Sequence, residues 1–110
     1  MSEAETFDER MEVLRLAMLE SARAQSEAAR LDERRKIIRA QLVKKFRADG
    51  KAVGESEQLA MATDTYENAV NEHYLADLDA GLKKAEAEFL RIKWDTWRTR
   101  AANKRAEMKL

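Results

Sequence analysis

The sequence predicts an all-α protein: two long antiparallel helices, a helical hairpin or coiled coil, with a short helix connecting them. Three observations carry that expectation. The 110 residues include no Pro and only 3 Gly, and the commonest residues are strong helix formers. No segment alternates apolar and polar residues for long enough to make a half-buried strand. Charged side chains, 38% of the chain, fall into blocks of alternating sign.

The first helix is predicted over about 7–48, roughly 60 Å at the helical rise. That length points to a coiled coil or a long hairpin rather than a compact bundle. The stretch from Ala48 through Asp49, Gly50, Lys51, Ala52 and Val53 to Gly54 reads as a stop, a loop and a restart. Gly50 suits the left-handed position that closes a helix. Ser56 is the expected N-cap of a second helix over about 56–70, with Glu57 in its first turn, where the dipole favours acid. Asn68, Asn71 and His73 form helix weakly and place a second break near 70–74. The third helix is predicted over about 74–109, roughly 50 Å long. Gly81 inside it costs about 1 kcal/mol relative to Ala. Either close approach of another backbone or a hinge accounts for it. The three helices are read as one helical domain, residues 1–110, without internal repeats.

Apolar residues mark the faces. In the first helix Phe7, Met11, Leu14, Met18 and Ala22 form one line, and Leu31, Ile38, Leu42 and Phe46 continue it. Between them lies a small-residue stretch over 21–29, the expected narrow part of the seam. The third helix carries two lines. Leu75, Leu78, Leu82, Ala85, Phe89 and Ile92 keep strict a/d spacing. Leu90, Trp94, Trp97, Ala101 and Met108 take over on the neighbouring face. Either the other helices pack over both lines, or one line is an interface, where Trp anchors are enriched.

The charge blocks set orientation. Residues 1–29 are net −4, 30–47 net +6, 48–90 net −7 and 91–110 net +5. Folding the third helix antiparallel on the first joins opposite signs, whereas a parallel arrangement joins like signs. An antiparallel homodimer satisfies the same pattern. A chain this short buries a modest core, so a homo-oligomer, a dimer first, is expected.

Several classes are disfavoured. There is no Cys, hence no disulfide framework, thiolate metal site or thiol nucleophile. His73 is the single histidine. No apolar run approaches a membrane span, and the acidic start (Glu3, Glu5, Asp8, Glu9) is unlike a leader peptide. A cytoplasmic location follows as the expectation. Phosphate loops, nucleophile elbows and paired zinc-binding histidines are missing, so no enzyme, cofactor or metal site is expected. Glu72, His73, Asp77 and Asp79 lack any diagnostic ligand spacing. They read as a solvated helix start.

Two basic stretches are the candidate binding elements. One is Arg30, Arg34, Arg35, Lys36, Arg39, Lys44, Lys45 and Arg47. The other runs from Arg91 to Lys109 and interleaves with Trp94 and Trp97. Cations beside aromatics are the composition that holds nucleic-acid backbone and stacks bases. The net charge of zero weighs against a dedicated nucleic-acid protein. Arg91, Trp94, Trp97, Arg98, Arg100 and Arg105 are therefore the predicted partner or nucleic-acid site.

The run from Trp97 to Met108, Trp-Arg-Thr-Arg-Ala-Ala-Asn-Lys-Arg-Ala-Glu-Met, resembles the ending of small helical phage and prophage proteins encoded near recombination genes. The resemblance implies no catalysis and no functional residue. It implies a gene neighbourhood of recombination and single-strand-annealing functions. The widened apolar face around Trp94 and Trp97, with the bases beside it, is what leads to the expected function: a non-enzymatic phage-type accessory or adaptor protein in the host cytoplasm, acting through a protein–protein surface on DNA recombination or replication machinery. Two alternatives stand beside it. One is nucleic-acid binding through the Arg/Trp helix. The other is inhibition of a host defence or DNA-acting protein through the acidic residues Asp64, Glu67, Glu72, Asp77 and Asp79.

Overall fold

The computed structural model describes residues 3–109, with side chains from Thr6 onward. It contains three helices, α1 (Glu3–Ala48), α2 (Val53–Met61) and α3 (Asp64–Met108), and no strand among the described residues. The all-α architecture expected from composition is the one found. Two long helices pack against each other with a short one between them. No helix among the described residues is long and apolar enough to cross a membrane.

The first junction follows from Gly50. Its φ is +88°, a region that costs an L-residue with a side chain about 1–2 kcal/mol. There the Gly50 amide donates to the Arg47 carbonyl at 3.0 Å, and the Lys51 amide donates to the Phe46 carbonyl at 3.1 Å. That pair of bonds satisfies the last carbonyls of α1. α2 then starts earlier than expected. Ala52 is its N-cap, extended at φ −66° and ψ 159°, with no side-chain cap. Ser56 is not the cap. Its amide donates to the Ala52 carbonyl at 2.8 Å, one turn inside the helix, and the residue is fully buried. A small side chain was needed there for packing, which a capping pattern read along the sequence does not distinguish.

The second break also moves. It falls at Ala62–Thr63, not near 70–74. The Thr63 hydroxyl accepts from the Tyr66 amide at 3.2 Å and donates to the Ala60 carbonyl at 2.8 Å, closing α2 and opening α3 with one side chain. Asp64 and Glu67 occupy the first turn of α3, where they favour the dipole. Asn68, Asn71 and His73 lie within α3. Their propensity deficits are each below about 0.7 kcal/mol, and packing of neighbouring Ala69 and of half-buried His73 overrides them.

The packing falls into two compact units, Ala24–Ala80 and Met1–Arg23 with Gly81–Leu110. In the first unit the centre is small. Ala24 and Ala28 of α1 are buried with Ala80 of α3, and Ala76 packs against them. Short side chains allow helix axes to approach closely. A polar group follows along α1. Arg35 donates to Asp32 Oδ1 at 2.8 Å and to the Tyr66 hydroxyl at 3.3 Å. Lys36 Nζ lies 3.4 Å from Asp32 Oδ2, and His73 Nε2 lies 3.9 Å from Asp32 Oδ1. Along the same stretch of α1, Leu31, Ile38, Leu42 and Phe46 are half-buried, as their line predicted, while Ser56 and Ala60 of α2 are fully buried.

The predicted line at the start of α1 is corrected. Met11, Met18 and Ala22 are exposed, and burial passes instead through Leu14, Ala17, Ser21, Ala24 and Ala28. Steps of four, three, four and four drift around a helix, whereas these residues alternate strictly by three and four and keep one side toward a partner. The narrow seam expected over 21–29 is therefore part of a longer small-residue line.

Two outcomes are expected. Gly50→Ala should lower the unfolding free energy by about 1–2 kcal/mol, read from a urea midpoint at unchanged slope. The second concerns Asp32, whose carboxyl is held below the ordinary aspartate range, first by the Arg35 hydrogen bond and then by Lys36. A lowered folded pKa gives stability that is present above the unfolded value and lost as pH falls through the folded one. Asp32→Asn should accordingly flatten the acid limb of stability against pH and leave the neutral-to-alkaline limb unchanged in shape.

Candidate functional site

In the unit formed by the two chain ends, α3 turns Ala87, Leu90, Trp94, Trp97 and Ala101 inward, again by threes and fours. This is the second of the two predicted lines, without Met108, which is 79% exposed. Large aromatics replace the alanines of the first unit. Trp94 is only 8% exposed. Its ring meets Phe7 edge-on at 5.3 Å and Trp97 edge-on at 5.9 Å, and Phe7 lies 6.3 Å from Trp97. Edge-to-face contacts of this kind add about 0.5–1.5 kcal/mol beyond the area they bury.

Guanidinium groups cover this ring cluster. Arg98 lies 4.8 Å above the Trp94 ring, and Arg10 lies 4.6 Å above the Trp97 ring. Of the predicted site residues, the structure thus brings Trp94, Trp97 and Arg98 together. Arg105 borders the same region, its Nε donating to the Ala101 carbonyl at 3.4 Å. Arg91 and Arg100 are exposed on the helix surface. A shallow groove of about 690 Å³ opens beside half-buried Trp97, bordered by Phe7, Asp95, Arg98 and Arg105. The groove can offer an aromatic edge and two guanidinium groups to an anionic or planar ligand. Trp94 cannot take part, because its ring is already enclosed.

The other basic stretch, on α1, is partly engaged within its own helix. Arg30 pairs with Glu27 at 2.6 Å, and Arg35 and Lys36 pair with Asp32. His73 turns toward Asp32, while Glu72 and Asp77 are exposed. Among the described residues no group of three or more His, Asp or Glu is placed to hold a metal ion. The acidic residues Asp64, Glu67, Glu72, Asp77 and Asp79 are all exposed on α3.

The feature that the predicted site list missed is the first α3 line. Leu75, Leu78, Leu82, Phe89 and Ile92 are between 51% and 65% exposed. They lie on one face of an unbroken helix, outside both the alanine seam and the ring cluster. Their a/d spacing was visible in the sequence as a seam. Nothing there says which of two seams the chain covers by itself. In each unit the alanine-and-tryptophan line is the one turned inward, and the leucine line stays exposed. Exposed apolar residues in one contiguous row mark interaction surfaces more often than scattered ones do.

Comparison with known proteins finds no family model, curated relative or solved structure that matches this chain.

Trp94→Ala is expected to lower stability by about 3 kcal/mol, as for a buried aromatic, with loss of near-ultraviolet ellipticity. Arg98→Ala should cost less than 1 kcal/mol, the scale of an exposed cation–π contact. Equal losses for both variants in urea denaturation would contradict this division between packing and surface.

Proposed function

We propose that this protein is non-enzymatic and works as an adaptor, engaging a protein partner through a helical surface. The observation that carries the reading is the exposed row Leu75, Leu78, Leu82, Phe89 and Ile92 on α3. A row with a/d spacing is matched by the side of another helix, which buries knobs between knobs. A flat sheet or a small molecule would leave much of it wet. The resemblance of the C-terminal run to phage proteins near recombination genes supports an accessory role among DNA-processing proteins of a host cytoplasm.

A second reading, nucleic-acid binding, is favoured by a separate observation: the groove beside Trp97 with Arg98 and Arg105 on its border. The two readings use different faces and are separable.

A photoreactive phenylalanine analogue placed at position 82 or 89 should give protein adducts in cells. The same analogue at Lys84 or Arg91 should give few. Peptide mass spectrometry of the adducts should map to helical segments, and the Leu82→Lys/Phe89→Lys variant should lose the captured partner. Equal labelling at all four positions would sink the adaptor reading. Fluorescence anisotropy with single-stranded and duplex DNA tests the alternative. Saturable binding that falls steeply with salt and is lost in Arg98→Ala/Arg105→Ala would favour nucleic acid instead.

A further inference from the structure

The exposed α3 row has a symmetry of its own. From Leu75 to Ile92 the steps are three, four, three, four and three, counting Ala85. That order reads the same in both directions. A second α3 laid antiparallel therefore meets the row in register: Leu75 opposite Ile92, Leu78 opposite Phe89, and Leu82 opposite Ala85. These are the alternating a and d layers of an antiparallel coiled coil. All six residues lie within α3. Resting on the reading of this row as a protein-binding surface, we infer that its occupant is a second copy of this chain, paired antiparallel along α3 about a two-fold axis between Leu82 and Ala85.

Charge supports the same partner and the same direction. Asp64, Glu67, Glu72, Asp77 and Asp79 lie before the axis, where α3 has no Lys or Arg. Over 83–108 there are eight Lys and Arg against four Asp and Glu. Antiparallel pairing sets the acidic part of each α3 beside the basic part of the other. Glu72 then comes next to Lys93 of the second copy. Parallel pairing would stack acid on acid and base on base. The centre is the exception. Asp79 there approaches Glu86 of the second copy, so apolar layers must hold the middle while the outer charges choose direction.

Gly81 adds an independent sign. It is exposed, and a Cβ built on it would meet nothing within 4 Å. Among the described residues no close neighbour accounts for it, and it lies within α3. Yet glycine weakens a helix interior relative to alanine. Gly81 sits beside Leu82, one step from the axis, where a second helix passes closest.

Area is sufficient. At the exposures observed, the five large side chains amount to on the order of 500 Å² per chain, and a standard interface takes about 800 Å² from each partner, with long polar stems at the rim supplying the difference. On α1 Met11 and Met18 also stand exposed on one side, seven residues apart, a shorter row than that of α3. Val13, Leu16 and Leu19 step by threes and drift around the helix.

Sedimentation equilibrium over a concentration series, from micromolar to several hundred micromolar, tests the inference. The wild-type chain should approach dimer mass. Leu82→Lys/Phe89→Lys should weaken the dimer about tenfold or more while retaining helical ellipticity, since both side chains are exposed in the single chain. Ile92→Lys provides a second, milder variant should the double one unfold. The chain has no native cysteine, so Leu75→Cys/Ile92→Cys can be oxidised and digested cleanly. The expected link joins position 75 of one chain to position 92 of another. A wild-type monomer at every concentration would overturn self-pairing, and the adaptor reading would then stand or fall on the photo-crosslinks alone. A dimer indifferent to the lysine variants would show association through another face and overturn the inference. Links of 75 to 75 and 92 to 92 would overturn the antiparallel register.

Discussion

The alanine seam is the constraint on which the rest of the molecule depends. Ala24 and Ala28 meet Ala76 and Ala80 in the middle of the chain. Side chains this small bury little apolar area, but they permit close helix contact. Their placement also decides where everything larger must go. Once the inward positions of α3 are occupied by alanine in one unit and by tryptophan in the other, the leucines of the same helix have no room on that side. They stand on the outer surface because the inner one is taken.

The two units therefore use different physics with one spacing. In Ala24–Ala80 the long helices are held by close contact of small groups and by a polar cluster around Asp32. In the unit of the two chain ends, Phe7, Trp94 and Trp97 fill the space with rings, and Arg10 and Arg98 lie over them. The rings bury area that alanines cannot. The guanidinium groups meet the ring faces while remaining at the surface, where burial would otherwise penalise their charge.

Much of this architecture was legible in the sequence. Absence of proline and abundance of helix formers gave the all-α class, and alternating charge blocks gave the antiparallel direction. Gly50 marked the first turn, because only a left-handed position calls for glycine so directly. The second break was not legible. Asn68, Asn71 and His73 form helix weakly in isolation, but Ala69 and His73 face α1 and packing decides. The true boundary rested on Thr63, whose hydroxyl serves two helices at once and has no pattern longer than one residue. Ser56 misled for the converse reason, being a good cap placed at a packing position. For the candidate site, composition singled out Trp97 and Arg98, which border the groove, but it did not say which of the two α3 faces stays exposed. Hydrophobicity ranks leucine above alanine for the core, whereas within Ala24–Ala80 the inward positions of α3 take the smaller residue.

The two units also differ in how the chain reaches them. Ala24–Ala80 is one continuous stretch that contains both turns. The other unit joins segments from opposite ends of the sequence, and Phe7 must find Trp94 across the whole intervening chain. Closing so long a loop is entropically costly while that loop is disordered. The ring cluster therefore carries the closure cost of a longer intervening chain than the alanine seam does.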